Sequence, residues 1–247
     1  MIEIRNLCYQ YPDGTHALRD INLTISEGEF LLICGPNGSG KTTLIRLIGS
    51  LLKPTTGSIH INGLDTLHPS RETRARVGMV FQDPESQIVG ETVKEDVAFG
   101  PENMGLPAEE MKERVEWALG VMGLKNLSEK PCYLLSGGEK RRLAIAGVLA
   151  MRPRVILFDE PFSFLDYPGI QEVLKHMIGF NREGHTVVVT THDVEKVIAH
   201  VNRIAVMNDG QIKIAGLPEE VMTKLLNFGI RPPCYALLGR EKISWLE

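Results

Sequence analysis

The segment Gly35-Pro36-Asn37-Gly38-Ser39-Gly40-Lys41-Thr42-Thr43 fits the pattern G-x-x-x-x-G-K-[ST] and constrains the fold more than any other stretch of the chain. Its flanks supply the context that pattern needs. Phe30-Leu31-Leu32-Ile33-Cys34 is an apolar run of strand length, and Leu44, Ile45, Leu47, Ile48, Leu51 and Leu52 follow at helical spacing. A strand, a glycine-rich turn and a helix in that order set the bare N–H groups of a helix end beside a curled backbone, which suits phosphate oxygens. Asn37, Gly38, Ser39, Gly40, Lys41, Thr42 and Thr43 are therefore candidate nucleotide-binding residues. Lys41 would be a mobile charge for the outer phosphates, and the Thr42 hydroxyl a hard oxygen ligand for Mg²⁺. The expected fold class is α/β, of the P-loop NTPase type.

Composition narrows the setting. With 247 residues, 43% hydrophobic and 23% charged, the chain has the make-up of a soluble globular protein built as one large domain or two sharing a core. A net charge of −4 argues against a general nucleic-acid binder, so no nucleic-acid partner is expected. Cys8, Cys34, Cys132 and Cys234 are scattered, with no C-x-x-C pair, which fits a reducing cytosol better than disulfides or zinc. No apolar run approaches the ~18 residues that span a bilayer. Met1-Ile2-Glu3-Ile4 lacks the basic-then-apolar pattern of a secretion signal.

In chain order, Ile2 and Ile4, then Ile21, Leu23 and Ile25, alternate with polar residues as short strands around a Pro12-Asp13-Gly14 turn. Tyr11, just before that turn, suits either stacking on a purine or packing on the sheet. Val77-Gly78-Met79-Val80-Phe81 reads as a buried strand ending at Gln82-Asp83-Pro84, and strand ends of this kind carry ligand sites in α/β sheets. From Thr92 to about Met151 the pattern is helical, which predicts an inserted subdomain. Thr92 with Glu95, and Ser136 with Glu139, have capping-box spacing. Leu135-Ser136-Gly137-Gly138-Glu139 thus opens a second anion-binding helix end, its glycines allowing close approach. Val155-Ile156-Leu157-Phe158-Asp159-Glu160 is an apolar strand ending in two carboxylates: Asp159 suited to Mg²⁺ through water, Glu160 to polarising an attacking water. Thr186-Val187-Val188-Val189-Thr190 is the next buried strand and runs out at Thr191-His192-Asp193.

The order P-loop, Gln82, Leu135-Ser136-Gly137-Gly138-Glu139, Asp159-Glu160, Leu165-Asp166, His192 resembles the ATP-binding subunit of an ABC transporter, over almost the whole chain. The resemblance implies a RecA-like core with an N-terminal antiparallel β part (residues 1–90 and 152–230), a helical subdomain (91–151) and a short C-terminal tail (231–247). It implies ATP and Mg²⁺ as ligands, with Thr42, Gln82 and Asp159 around the metal. Tyr11 then matches the aromatic that stacks on adenine, Gln82 the Q-loop, Glu160 the catalytic base and His192 the switch histidine at the γ-phosphate. It also implies a head-to-tail dimer, in which Ser136, Gly137 and Gly138 bind the nucleotide of the other subunit and Asp166 lies at the seam.

Finer features resemble the ATPases of energy-coupling-factor importers, which take up vitamins or nickel and cobalt ions: Gln82-Asp83-Pro84-Glu85-Ser86-Gln87, Asp96-Val97-Ala98-Phe99-Gly100-Pro101-Glu102-Asn103 and the run from Glu139 to Ala150. Lys140, Arg141 and Arg142 in that run also suit a plain solvated basic face. Glu139 stands where glutamine is commoner, and Phe162 and Phe164 where small or polar residues are usual. The function implied is that of an ATP-hydrolysing subunit, peripheral at the cytoplasmic face of the cell membrane. Its expected partners are a second ATPase subunit, in a homo- or heterodimer, and integral membrane subunits. Gln82 to Gly105, with Ile88, Val89, Val93 and Phe99, suits either packing within the helical subdomain or, as the resemblance implies, one wall of a groove for a membrane partner's helix. The rival classes are a soluble ABC-type ATPase acting on a nucleic-acid or ribosomal partner, and a P-loop kinase, which would need an acceptor site and lid in place of the Ser-Gly-Gly helix.

Overall fold

The computed structural model describes residues 1–67, 71–241 and 243–246. Its first half contains β1 (Ile2–Gln10), β2 (His16–Ile25), β3 (Phe30–Cys34), α1 (Lys41–Ile48), β4 (Thr56–Ile61), β5 (Leu64–Asp65), α2 (Arg71–Arg76), β6 (Val77–Val80), α3 (Val93–Asn103) and α4 (Ala108–Val121). The second half contains α5 (Gly137–Ala150), β7 (Val155–Asp159), α6 (Tyr167–Arg182), β8 (Thr186–Thr191), β9 (Arg203–Asn208), β10 (Gln211–Gly216), α7 (Pro218–Met222) and α8 (Cys234–Leu237).

One sheet runs β10-β9-β3-β8-β7-β6, parallel except for the β9–β10 hairpin; the other is antiparallel, β2-β1-β4-β5. The central strands are apolar without interruption because both faces are covered. Leu31, Ile33, Leu157 and Val188 face α1 and the antiparallel sheet. Phe30, Leu32, Ile156, Phe158, Val187 and Val189 join the core that includes α3, α5 and α6. The expected α/β class is therefore the one observed.

Two expectations change in detail. β1 and β2 are not short: they run 9 and 10 residues. Their pairing shifts register between Ile4 and Gln10, where Asn6 and Asp20 take φ of 48° and 51°, and such bulges break the alternation that marks a strand. α2 was invisible because Arg71-Glu72-Thr73-Arg74-Ala75-Arg76 has no apolar stripe.

α3, α4 and α5 follow β6 and pack on one another. Thr92 and Ser136 both close capping boxes, with Glu95 and Glu139. A cap of this kind contributes about 1 kcal/mol and sets where each helix starts. Val93 corrects the groove expected over Gln82 to Gly105: it is fully buried in the core, and Ile88 is half-buried against the same core. Only Val89 and Phe99, 61% and 51% exposed, offer apolar surface from that set.

Candidate nucleotide site

The parallel register puts the ends of β3, β8, β7 and β6 side by side, so four loops far apart in sequence open on one rim. The loop after β3 can curl only with glycine at its tightest points. A Cβ at Gly35 would lie 2.2 Å from the Met207 carbonyl oxygen, and Gly38 and Gly40 have φ of 78° and 98°. Gly40 precedes α1 without side-chain capping, which leaves the first-turn N–H groups free for an anion. The Ser39 hydroxyl is buried there without a hydrogen-bond partner. A cradle too tight for a side chain, bare N–H groups and an orphan hydroxyl are what a bound polyphosphate would complete.

Lys41 sits over this loop, its side chain 6% exposed, with Nζ donating to the Gly35 and Pro36 carbonyls at 2.9 and 3.1 Å. Burial pushes its ammonium pKa down, and Glu160, 3.9 Å away, is foremost among the groups that oppose the shift. Burial also pushes the neighbouring Cys34 thiol up to about 12, which keeps it neutral. Thr42 Oγ1 donates to Asp159 Oδ1 at 3.1 Å, and Thr190 Oγ1 donates to the same oxygen at 2.8 Å.

Glu160 follows β7 with φ of 43°, a left-handed conformation that is uncommon for a side-chain-bearing residue. Its N–H donates to the Thr190 carbonyl at 3.0 Å, and its carboxylate accepts from His192 N–H at 3.1 Å and lies 3.2 Å from His192 Nδ1. Tyr11, residues 37–43, Gln82, Glu160 and His192 line one cleft of about 400 Å³, together with Thr15, His16 and Ala17. Sequence reading missed His16; its signal was only its place across the turn from Tyr11.

Ser136, Gly137 and Gly138 do not line that cleft. All three are exposed, and a Cβ at either glycine would meet nothing within 4 Å. The Ser136 N–H donates to the Glu139 carboxylate at 2.7 Å, which holds that carboxyl below its ordinary range. Asp166 also lies outside the cleft; it caps α6 by accepting from the Gly169 N–H at 3.0 Å.

The basic run after the glycines is not a solvated face. Arg141 is 3% exposed and donates to the carbonyls of Phe81 and Gln82 at 2.8 and 2.7 Å. It ties the start of α5 to the end of β6, a role that its sequence neighbourhood of charges concealed. Lys140 pairs with Glu85, and Arg142 with Glu172 at 3.2 Å. The two unusual phenylalanines part company: Phe162 is buried, with the Lys196 ammonium 5.9 Å from its ring centre, whereas Phe164 is 94% exposed with φ of 61°.

Residues 18–163 match the family described as ABC transporter, more than half of the chain. The chain belongs to the ABC transporter family. An energy-coupling factor transporter ATP-binding protein of Methanocaldococcus jannaschii is 44% identical over 90% of this chain and 81% of its own length. A cobalt import ATP-binding protein of Syntrophus aciditrophicus is 43% identical over 98% of this chain and 89% of its own. The solved structure of CbiO1 of Clostridium perfringens, part of the ABC transporter complex CbiONQ, superposes with a TM-score of 0.80 at 37% identity, covering 96% of this chain and 98% of that one. Within the family the chain is an ATP-hydrolysing subunit of the energy-coupling-factor type, an ATPase that powers transport.

Proposed function

We propose that the cleft at the ends of β3, β6, β7 and β8 binds ATP with Mg²⁺, and that a second subunit's Ser136-Gly137-Gly138 end closes it. The observation that carries this reading is the convergence of Lys41, Glu160 and His192, with Lys41 Nζ and His192 Nδ1 3.9 and 3.2 Å from Glu160 Oε1. Tyr11 stacks on the adenine. Residues 37–43 hold the phosphates through loop and helix N–H groups, and Lys41 leaves its carbonyl partners for the outer phosphates. Thr42, Asp159 and Gln82 supply the oxygen atoms for Mg²⁺, and Thr42 and Asp159 are already hydrogen-bonded to each other. When bound, the ion neutralises charge on the β- and γ-phosphate oxygens. Glu160 accepts the proton of the attacking water, and His192 holds the Glu160 carboxylate while facing the γ-phosphate. Loss of the γ-phosphate removes the ligand shared by Gln82, His192 and the partner's serine, so the dimer opens.

The open space over Gly137 and Gly138, outside the cleft, supports closure from a second subunit. Asp166, exposed at the start of α6, is placed at the seam in this reading. A groove of about 650 Å³ between the turn after α1, β6, α3 and α5 has Leu51, Val89 and Phe99 exposed on its walls, and it supports docking of a membrane partner's helix. The name of the Syntrophus aciditrophicus relative favours cobalt as the solute, and the resemblance to energy-coupling-factor importers keeps a vitamin or another transition-metal ion as the alternative. The chain then works peripherally at the cytoplasmic face. The test is co-expression with candidate membrane subunits and measurement of cobalt and vitamin uptake. Val89→Asp with Phe99→Asp should fold and hydrolyse ATP normally while losing association and uptake. Retained association would place the docking surface elsewhere.

A further inference from the structure

Tyr11 is held in place at three points. Its backbone closes the turn, with its N–H donating to the Thr15 carbonyl and its own carbonyl accepting from the Gly14 N–H, both at 2.9 Å. Its ring meets the nearly buried Tyr9 edge-on, centroids 4.9 Å apart at 88°. Its hydroxyl lies 2.9 Å from Thr43 Oγ1. Thr43 is 6% exposed and sits in the first turn of α1, where N–H groups lack partners inside the helix. The Tyr11 ring, which lines the cleft, is thus bonded at its tip to the first turn of α1.

A hydroxyl has one proton and two acceptor positions. In the free protein either oxygen of the pair can be the donor. A phosphate at the end of α1 only accepts, so it takes the Thr43 proton. Thr43 Oγ1 is then left with lone pairs alone, and the Tyr11 proton must point to it. The order becomes Tyr11 O–H to Thr43 O–H to phosphate, and each bond in such a chain polarises the next.

We infer that Thr43 is a positioning residue that couples base stacking to phosphate binding through this pair of hydroxyls. The inference rests on the reading of Tyr11 as the stacking aromatic. Loss of the tyrosine hydroxyl is then felt as weaker phosphate binding even though the ring remains.

The test is a double-mutant cycle on the full chain, with affinity for a Mg²⁺-bound, non-hydrolysable ATP analogue measured by calorimetry. Tyr11→Phe should weaken binding roughly threefold to tenfold when Thr43 is present. In a Thr43→Val background the same change should cost less than about twofold. Thr43→Ser, which keeps a hydroxyl, should restore the full cost. Equal costs in the threonine and valine backgrounds overturn the coupling. Adenosine, with the base but no phosphate, gives a second reading that needs no Thr43 variant. Tyr11→Phe should leave its affinity within about twofold, and a loss equal to that of the analogue also overturns the coupling. Tyr11→Ala separates the two layers: unchanged affinity for the analogue sinks the stacking assignment itself, whereas a loss there with an additive cycle sinks only the coupling.

Discussion

Asp96 offers a sharp test of how the segment after Gln82 is held. The carboxylate lies in the first turn of α3, 8% exposed. Its Oδ1 accepts from the Val89 and Gly90 N–H groups at 2.7 and 2.9 Å. Burial raises its pKa, and the two N–H donors pull the other way. Gly90 packs so close that a Cβ there would lie 2.3 Å from the Asp96 nitrogen. Asp96→Ala removes both bonds. A hydrogen bond to a charged acceptor contributes about 1.5–3 kcal/mol net. Val89 is an exposed residue; counting its freed N–H as returned to water offsets roughly half of the sum. The expected cost is about 1.5–3 kcal/mol, or roughly 3–12 °C in Tm for a chain of this size. Asp96→Asn keeps an acceptor oxygen in place and should cost at most about 1 kcal/mol. Urea titration read by circular dichroism measures both. Asp96→Ala within about 0.5 kcal/mol of the parent, or Asp96→Asn as costly as Asp96→Ala, would refute the reasoning. ATP affinity should stay unchanged in the folded fraction, because Asp96, Val89 and Gly90 do not line the P-loop cleft.

Two further predictions concern pH and the start of α5. Burial lowers the His176 pKa from 6.5, with Glu172 opposing and Arg142 reinforcing the shift. The unfolded chain therefore takes up the proton first, and stability falls as pH drops from 6.5 towards the lower folded value. His176→Gln should flatten that decline between neutral pH and about pH 5 in denaturant midpoints, and an unchanged slope would contradict it. Gly138→Asp should leave the melting temperature of the isolated chain within a degree or two, because a Cβ there meets nothing within 4 Å. If the proposed closure in trans holds, it should abolish cooperative ATP hydrolysis by setting a carboxylate against the other subunit's phosphate, and normal turnover would count against that closure.

The parts of the fold that could be read from the sequence are those where one local rule acts alone. β3, β7 and β8 stand out because strands buried on both faces are apolar throughout. The starts of α3 and α5 stand out because serine or threonine three residues before glutamate satisfies orphan N–H groups. What stayed hidden depends on packing between distant segments. Arg141 looks like one more surface charge until the Phe81 and Gln82 carbonyls close over it. Val93 and Phe99 are both apolar residues of α3, yet helix packing buries the first and leaves the second half exposed. The bond from Tyr11 to Thr43 joins residues 32 positions apart, and no periodicity marks it.

The central claim is that Glu160 carries hydrolysis in a site completed by a second subunit, and Glu160→Gln tests it most directly. The glutamine oxygen can still accept from His192 N–H, which the present carboxylate does at 3.1 Å, so the fold and the cleft should survive. An amide cannot take a proton from water. The measurement is turnover together with sedimentation at saturating Mg·ATP. The account predicts retained ATP affinity, hydrolysis slowed by about 100-fold or more, and a variant that accumulates as an ATP-bound dimer. Turnover at the parent rate would contradict the role of Glu160, and a monomer at saturating nucleotide would contradict the shared site.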